Sequence, residues 1–111
     1  MASFADVGVA AVVATNTVSR PVPGNPALSA GLSGAALRPL SIDTAARLAG
    51  IIARCGATID VVGCGGILDC ADLRAFQAVG ARAGMIYSAL VFRGPLAGAL
   101  ILHEAERRAD A

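Results

Sequence analysis

Three short stretches carry groups able to grip a small polar ligand: Thr15-Asn16-Thr17, Gly63-Cys64-Gly65-Gly66 and Tyr87-Ser88. Each follows directly on an apolar run. Threonine hydroxyls and an asparagine carboxamide supply directional donors and acceptors suited to a flat polar ring. Glycines let the main chain approach a phosphate closely, and amides at a following helix N-terminus donate to it. Taken singly, each stretch has a plain structural explanation. The glycines fit a tight turn, Thr-Asn-Thr fits loop capping, and Tyr87 fits core packing. Recurrence after three successive apolar runs favours one shared ligand site.

Other chemistry-bearing residues are weaker candidates. His103 has no catalytic partner near it in sequence and reads as a helix-surface or interface residue. Ser33 in "GLSG" lacks the strand-Gly-x-Ser-x-Gly-helix setting of a hydrolase nucleophile. Asp69 with Asp72, and Glu104 with Glu106, are explained by capping and by a solvated helix end. Cys55, Cys64 and Cys70 are too few and too irregular for a disulfide framework, and with one histidine they make a poor zinc site.

The elements that must position these stretches are legible in outline. Val7–Ala14 reads as a buried strand, and Ser19 to Pro39 as a long loop rich in proline and glycine. Ser41 is expected to cap a helix, with Asp43 in its first turn, an apolar stripe at Ala45, Leu48, Ile51 and Ile52, and Gly56 at its end. Thr58–Val62 reads as a second strand. Asp69 caps the next helix, with Asp72 completing a capping box, a buried face at Leu73, Phe76 and Val79, and Gly80 as its stop. Arg82–Tyr87 reads as a third strand, and Gly94-Pro95 opens a last helix whose Leu96, Ala99, Leu100 and His103 share one face. The order β-loop-α-β-α-β-α predicts an α/β fold with a parallel sheet. In such folds ligands bind beyond the C-terminal ends of the strands, where the three stretches stand.

With 111 residues the chain is one domain at most. Nine basic and eight acidic side chains nearly cancel, which argues against a nucleic-acid groove. A hydrophobic content of 56% suggests elements buried on both faces, as in covered parallel sheets. No apolar run reaches the roughly 18 residues of a membrane span, and no basic residue precedes the first apolar run as in a signal peptide.

Four segments, "ATNTVSRP" (14–21), "GLSGAALRPLS" (31–41), "VVGCGGI" (61–67) and "IYSALVFRGP" (86–95), occur in order and at matching spacing. Together they resemble the C-terminal part of the class 2, quinone-dependent dihydroorotate dehydrogenases. The resemblance runs along nearly the whole chain. It implies the last three βα units of an FMN-binding (β/α)8 TIM barrel, with residues 1–111 as a C-terminal fragment of that domain. Carried over, Thr15 contacts the flavin, Asn16 and Thr17 bind orotate, and Gly31, Gly66, Tyr87 and Ser88 hold the FMN phosphate. The implied reaction is oxidation of dihydroorotate to orotate in pyrimidine biosynthesis. A serine base takes a proton, hydride passes to the flavin, and a quinone reoxidises it.

The chain departs from that pattern in places. One threonine follows Asn16 where the family commonly has two, and Cys64 replaces a usual valine. The first five βα units have no counterpart here. The serine base, the flavin-side lysine and the membrane-associating helices that meet the quinone are expected upstream, with Met1 then an internal residue. On this reading no catalytic residue lies in the chain, and the fragment alone is inactive. The implied location is the mitochondrial inner membrane in a eukaryote or the cytoplasmic membrane in a bacterium. The alternative is a truncated, non-catalytic remnant with at most weak phosphate or FMN binding.

Overall fold

The computed structural model describes residues 2–110; the expectation that Met1 is internal falls outside them. A short helix, α1 (Ala2–Asp6), is followed by strand β1 (Ala11–Ala14). Val7–Ala14 is therefore not one strand. Gly8 at φ +77° turns the chain out of α1, and the Gly8 and Val9 amides donate to Ala5 and Phe4 carbonyls, closing the helix before the strand begins.

The expected loop after β1 is largely ordered secondary structure. β2 (Val18–Val22) and β3 (Asn25–Leu32) form an antiparallel hairpin turned at Gly24, whose φ is +82°. Proline is tolerated there because the two-stranded ribbon has free edges that need no N–H from Pro21 or Pro26. The alternation that marks a half-buried strand is missing because nearly the whole hairpin is exposed. A 3-10 turn (Gly34–Ala36) leads into α2 (Arg38–Cys55).

Helix α2 starts four residues earlier than expected, its N-cap being Leu37 instead of Ser41, with Pro39 in its first turn. Ser41 is not its cap but a buried residue of the helix. Of the expected apolar stripe, Ala45 and Ile52 are buried and Leu48 packs beside them, whereas Ile51 stays outside the core cluster and Ile42 and Ala49 join it. Gly56 ends the helix in the left-handed conformation.

β4 runs Asp60–Cys64, so Gly63 and Cys64 belong to the strand instead of the loop after it. The place of a Gly63 side chain is filled by the Phe76 ring. α3 (Cys70–Ala78) carries the expected capping box: Asp69 Oδ1 accepts from the Asp72 amide at 2.9 Å, and Asp72 accepts from the Asp69 amide. β5 is Ala81–Met85, shorter than the expected third strand. Ser88–Arg93 forms a separate helix, α4, and α5 follows as Ala97–Ala109. The buried face of α5 is Ala97 and Ile101, while Leu96, Ala99, Leu100 and His103 are exposed. Gly94 ends α4, so the stripe inferred from a helix opening at Gly94-Pro95 is out of phase.

β1, β4 and β5 form a parallel sheet in the order β1-β4-β5, with Ala14 opposite Gly63 and Cys64 opposite Met85. The core of Ala45, Ile52, Ile59, Val61, Ile67, Phe76, Ala81 and Ile101 lies between this sheet and α2, α3 and α5. Helices cover one face of the sheet. The composition suggested burial on both, but Val13 on the opposite face is exposed, and the end of β5 at Met85 is half-exposed.

Candidate functional site

Parallel pairing puts the C-terminal ends of β1, β4 and β5 side by side. A cavity of about 400 Å³ opens there, and its wall includes Thr15, Asn16, Thr17, Gly66, Tyr87 and Ser88. Those are six of the seven residues singled out in the sequence. The seventh, Gly31, does not line the cavity. It stands in β3 opposite Ser19, where a side chain would come within 2.6 Å of the Thr17 hydroxyl. Gly31 thus acts on the wall through Thr17.

Thr15 is anchored at both ends. Its amide donates to the Cys64 carbonyl at 2.6 Å, and its hydroxyl lies 2.8 Å from the buried Ser41 hydroxyl and 3.4 Å from that same carbonyl. Asn16 Oδ1 accepts from the Thr17 amide at 2.7 Å, which occupies its acceptor and orients its two N–H donors. Tyr87 is 80% exposed. The Ser88 hydroxyl donates to that of Ser33 at 3.1 Å, tying the start of α4 to the turn before α2.

Sequence reasoning missed part of the wall. Ser33, Gly34 and Leu37 line the cavity alongside Gly65 and Ile67. Their position in "GLSGAAL" was visible, but only a folded hairpin returns that segment to the strand ends. The cap expected at Ser41 lies at Leu37 instead; Pro39, which marks a first helical turn, is the signal that moves Ser41 inside the helix.

The glycine loop is shaped by close packing. At Gly66, with φ +86°, a side chain would meet the Gly34 carbonyl oxygen at 2.7 Å and Arg38 Cβ at 2.5 Å. Two ion pairs hold the loop from behind. Arg38 donates to the Gly66 carbonyl at 3.4 Å and pairs with Asp72, whose carboxylate also accepts from the Leu68 amide at 2.9 Å. Arg93 donates to the Leu68 carbonyl at 3.0 Å and pairs with Glu104, which accepts from the Cys70 amide at 3.2 Å. The hydrogen bond from Arg93 holds the Glu104 carboxyl below the usual carboxylate range, and the same bond raises the Arg93 guanidinium.

Among the described residues, no carboxylate, imidazole, ammonium or guanidinium group lines the cavity; its polar groups are hydroxyls, a carboxamide, a phenol, a thiol and main chain. Such a wall binds and orients.

A family model described as Dihydroorotate dehydrogenase matches residues 1–108. The chain belongs to the dihydroorotate dehydrogenase family. It is 38% identical over 109 residues to the dihydroorotate dehydrogenase (quinone) of Xanthomonas oryzae pv. oryzae, a match covering 97% of this chain and 31% of that one. It is 42% identical over 92 residues to the same-named enzyme of Thiobacillus denitrificans, covering 79% of this chain and 26% of that one. The fold likewise resembles a ligand-free dihydroorotate dehydrogenase of Eimeria tenella, with TM-score 0.76 at 21% identity over 91% of this chain and 28% of the other. The ferulenol complex of the Eimeria protein gives TM-score 0.75 at 20% identity over 92% of this chain and 27% of that one. The chain thus spans about a third or less of these dihydroorotate dehydrogenases.

Proposed function

We propose that these residues form the FMN-phosphate and orotate-binding wall of a quinone-dependent dihydroorotate dehydrogenase of pyrimidine biosynthesis. The gathering of Thr15-Asn16-Thr17, Gly65-Gly66 and Tyr87-Ser88 around one cavity, in a chain matched by that family, carries the reading. The three strands belong to a larger (β/α)8 barrel, whose other strands cover the open sheet face at Val13 and the half-exposed Met85 end of β5.

The residues present suit a flavin phosphate. Gly66 lines the cavity with its main chain, its Cβ direction being closed by Arg38 and the Gly34 carbonyl, and the Ser33 and Ser88 hydroxyls line the same cavity as neutral donors. Phosphate would be held by amides and hydroxyls, since the nearest guanidinium behind the loop, Arg38, is engaged by Asp72. Bound there, FMN supplies an acceptor for hydride. Thr15 is fixed toward the flavin by Ser41 and Cys64, and Asn16 with Thr17 orients the substrate ring. Proton removal falls to a base outside this wall. Quinone contact and association with the cytoplasmic membrane surface belong to the rest of the enzyme; among the described residues no helix is long and apolar enough to cross a membrane.

A chimera tests the reading. The 111-residue chain replaces its matching segment in the Xanthomonas oryzae enzyme, and flavin content and dihydroorotate:quinone oxidoreduction are measured. Activity with near-stoichiometric FMN is expected. A folded chimera lacking flavin would overturn the proposal in favour of a non-catalytic remnant.

A further inference from the structure

The Arg93–Glu104 pair has a place in the fold that ordinary surface pairs lack. Arg93 is the last residue of α4, the helix whose first residue, Ser88, lines the cavity. Its guanidinium reaches the Leu68 carbonyl, two residues beyond Gly66, and Glu104 of α5 returns to the Cys70 amide at the start of α3. One ion pair therefore bonds the glycine-loop connection at two main-chain points, while its own residues sit on α4, whose first residue lines the cavity, and on α5. Side-chain exposure of 26% and 35% leaves the pair partly screened from solvent, and two backbone hydrogen bonds restrict its geometry. The surface pair Arg47–Asp43, at 77% and 54%, has neither feature.

We infer that Arg93 and Glu104 are positioning residues that set the span between Gly66 and Ser88 across the cavity, and so tune how the two walls grip a phosphate. The inference rests on the flavin-phosphate reading for its ligand but not for its geometry. Neither residue touches the ligand. Both act through the main chain of 68–70 and through α4.

The test uses the chimeric enzyme, with this segment labelled for amide NMR and FMN as the probe. Arg93→Ala is expected to move the ligand-free Gly66 and Ser88 amide resonances together. It should weaken FMN binding about tenfold, a loss in the range of a charge-assisted hydrogen bond. Arg93→Lys, which keeps the charge but not the fork, should recover part of that loss. Arg47→Ala should leave both readouts unchanged. Unmoved Gly66 and Ser88 resonances in Arg93→Ala would overturn the inference, as would an FMN affinity equal to wild type. If Arg93→Ala does not fold, Arg93→Lys and Glu104→Gln decide by the same resonances. If the unaltered chimera binds no FMN, the flavin reading fails, and the ligand-free resonances still decide the positioning role.

Discussion

The hydroxyls of Thr15 and Ser41 lie 2.8 Å apart, joining the end of β1 to the interior of α2. Ser41 is fully buried, and its side chain fills the space beside Gly65. Ser41→Ala should therefore cost about 1–2 kcal/mol by leaving Thr15 with only its long contact to Cys64. Ser41→Val should cost more, because added methyl groups press on the Gly65 main chain. Urea unfolding of the two variants checks the order, and a Val variant as stable as Ala would contradict it.

Gly66 tolerates no side chain. Its positive φ costs an L-residue about 1–2 kcal/mol, and a carbonyl oxygen 2.7 Å from the new Cβ is main chain that yields little. Gly66→Ala is expected to destabilise by about 2–4 kcal/mol once overpacking is added. In the chimeric enzyme it should also lower flavin content, read from the visible absorbance.

The two aspartates of the α3 start differ in what they hold. Asp69 caps one amide, so Asp69→Ala should cost about 1 kcal/mol. Asp72 accepts from the Leu68 and Asp69 amides and pairs with Arg38, so Asp72→Ala should cost about 2–3 kcal/mol. Equal losses in thermal unfolding would show that the Arg38 bond contributes little.

Acid should loosen the glycine loop. Glu104 is held below its usual range chiefly by the hydrogen bond from Arg93, with the Cys70 amide and the charge of Arg108 adding to it. A depressed carboxyl stabilises the fold above its unfolded pKa, about 4.3, and that contribution is lost as pH falls through the folded value. Cys70 amide exchange, corrected for its intrinsic pH dependence, should speed up below about pH 4, and Glu104→Gln should flatten that added step. Arg93 is raised, so its share persists through neutral pH and would fade only in strong alkali.

Much of this architecture is legible in the chain because local chemistry and tertiary packing agree. Asp69 and Asp72 mark a helix start that the fold keeps, and Gly56 and Gly80 mark ends that it also keeps. The order of strands and helices, and the clustering of Thr15, Asn16, Thr17, Gly66, Tyr87 and Ser88, follow from three apolar runs that end in polar or glycine residues. The hairpin was hidden because its strands are exposed and carry proline, so neither period nor propensity marks them. Ser41 was hidden for the opposite reason. Its type suits a cap, and only its long-range partner Thr15 explains a buried hydroxyl within a helix.

Several glycines here are complemented by a particular side chain elsewhere: Thr17 against Gly31, Phe76 against Gly63, and Arg38 beside Gly66. Each pairing binds the fate of one position to another. A lineage that enlarged residue 63 would need a smaller residue at 76, as the ring already occupies that space. Neither change is neutral alone, since shrinking Phe76 first opens a core cavity worth about 3–5 kcal/mol. Drift at this site should therefore proceed by paired replacements, and related chains should record it as covariation between 31 and 17 and between 63 and 76.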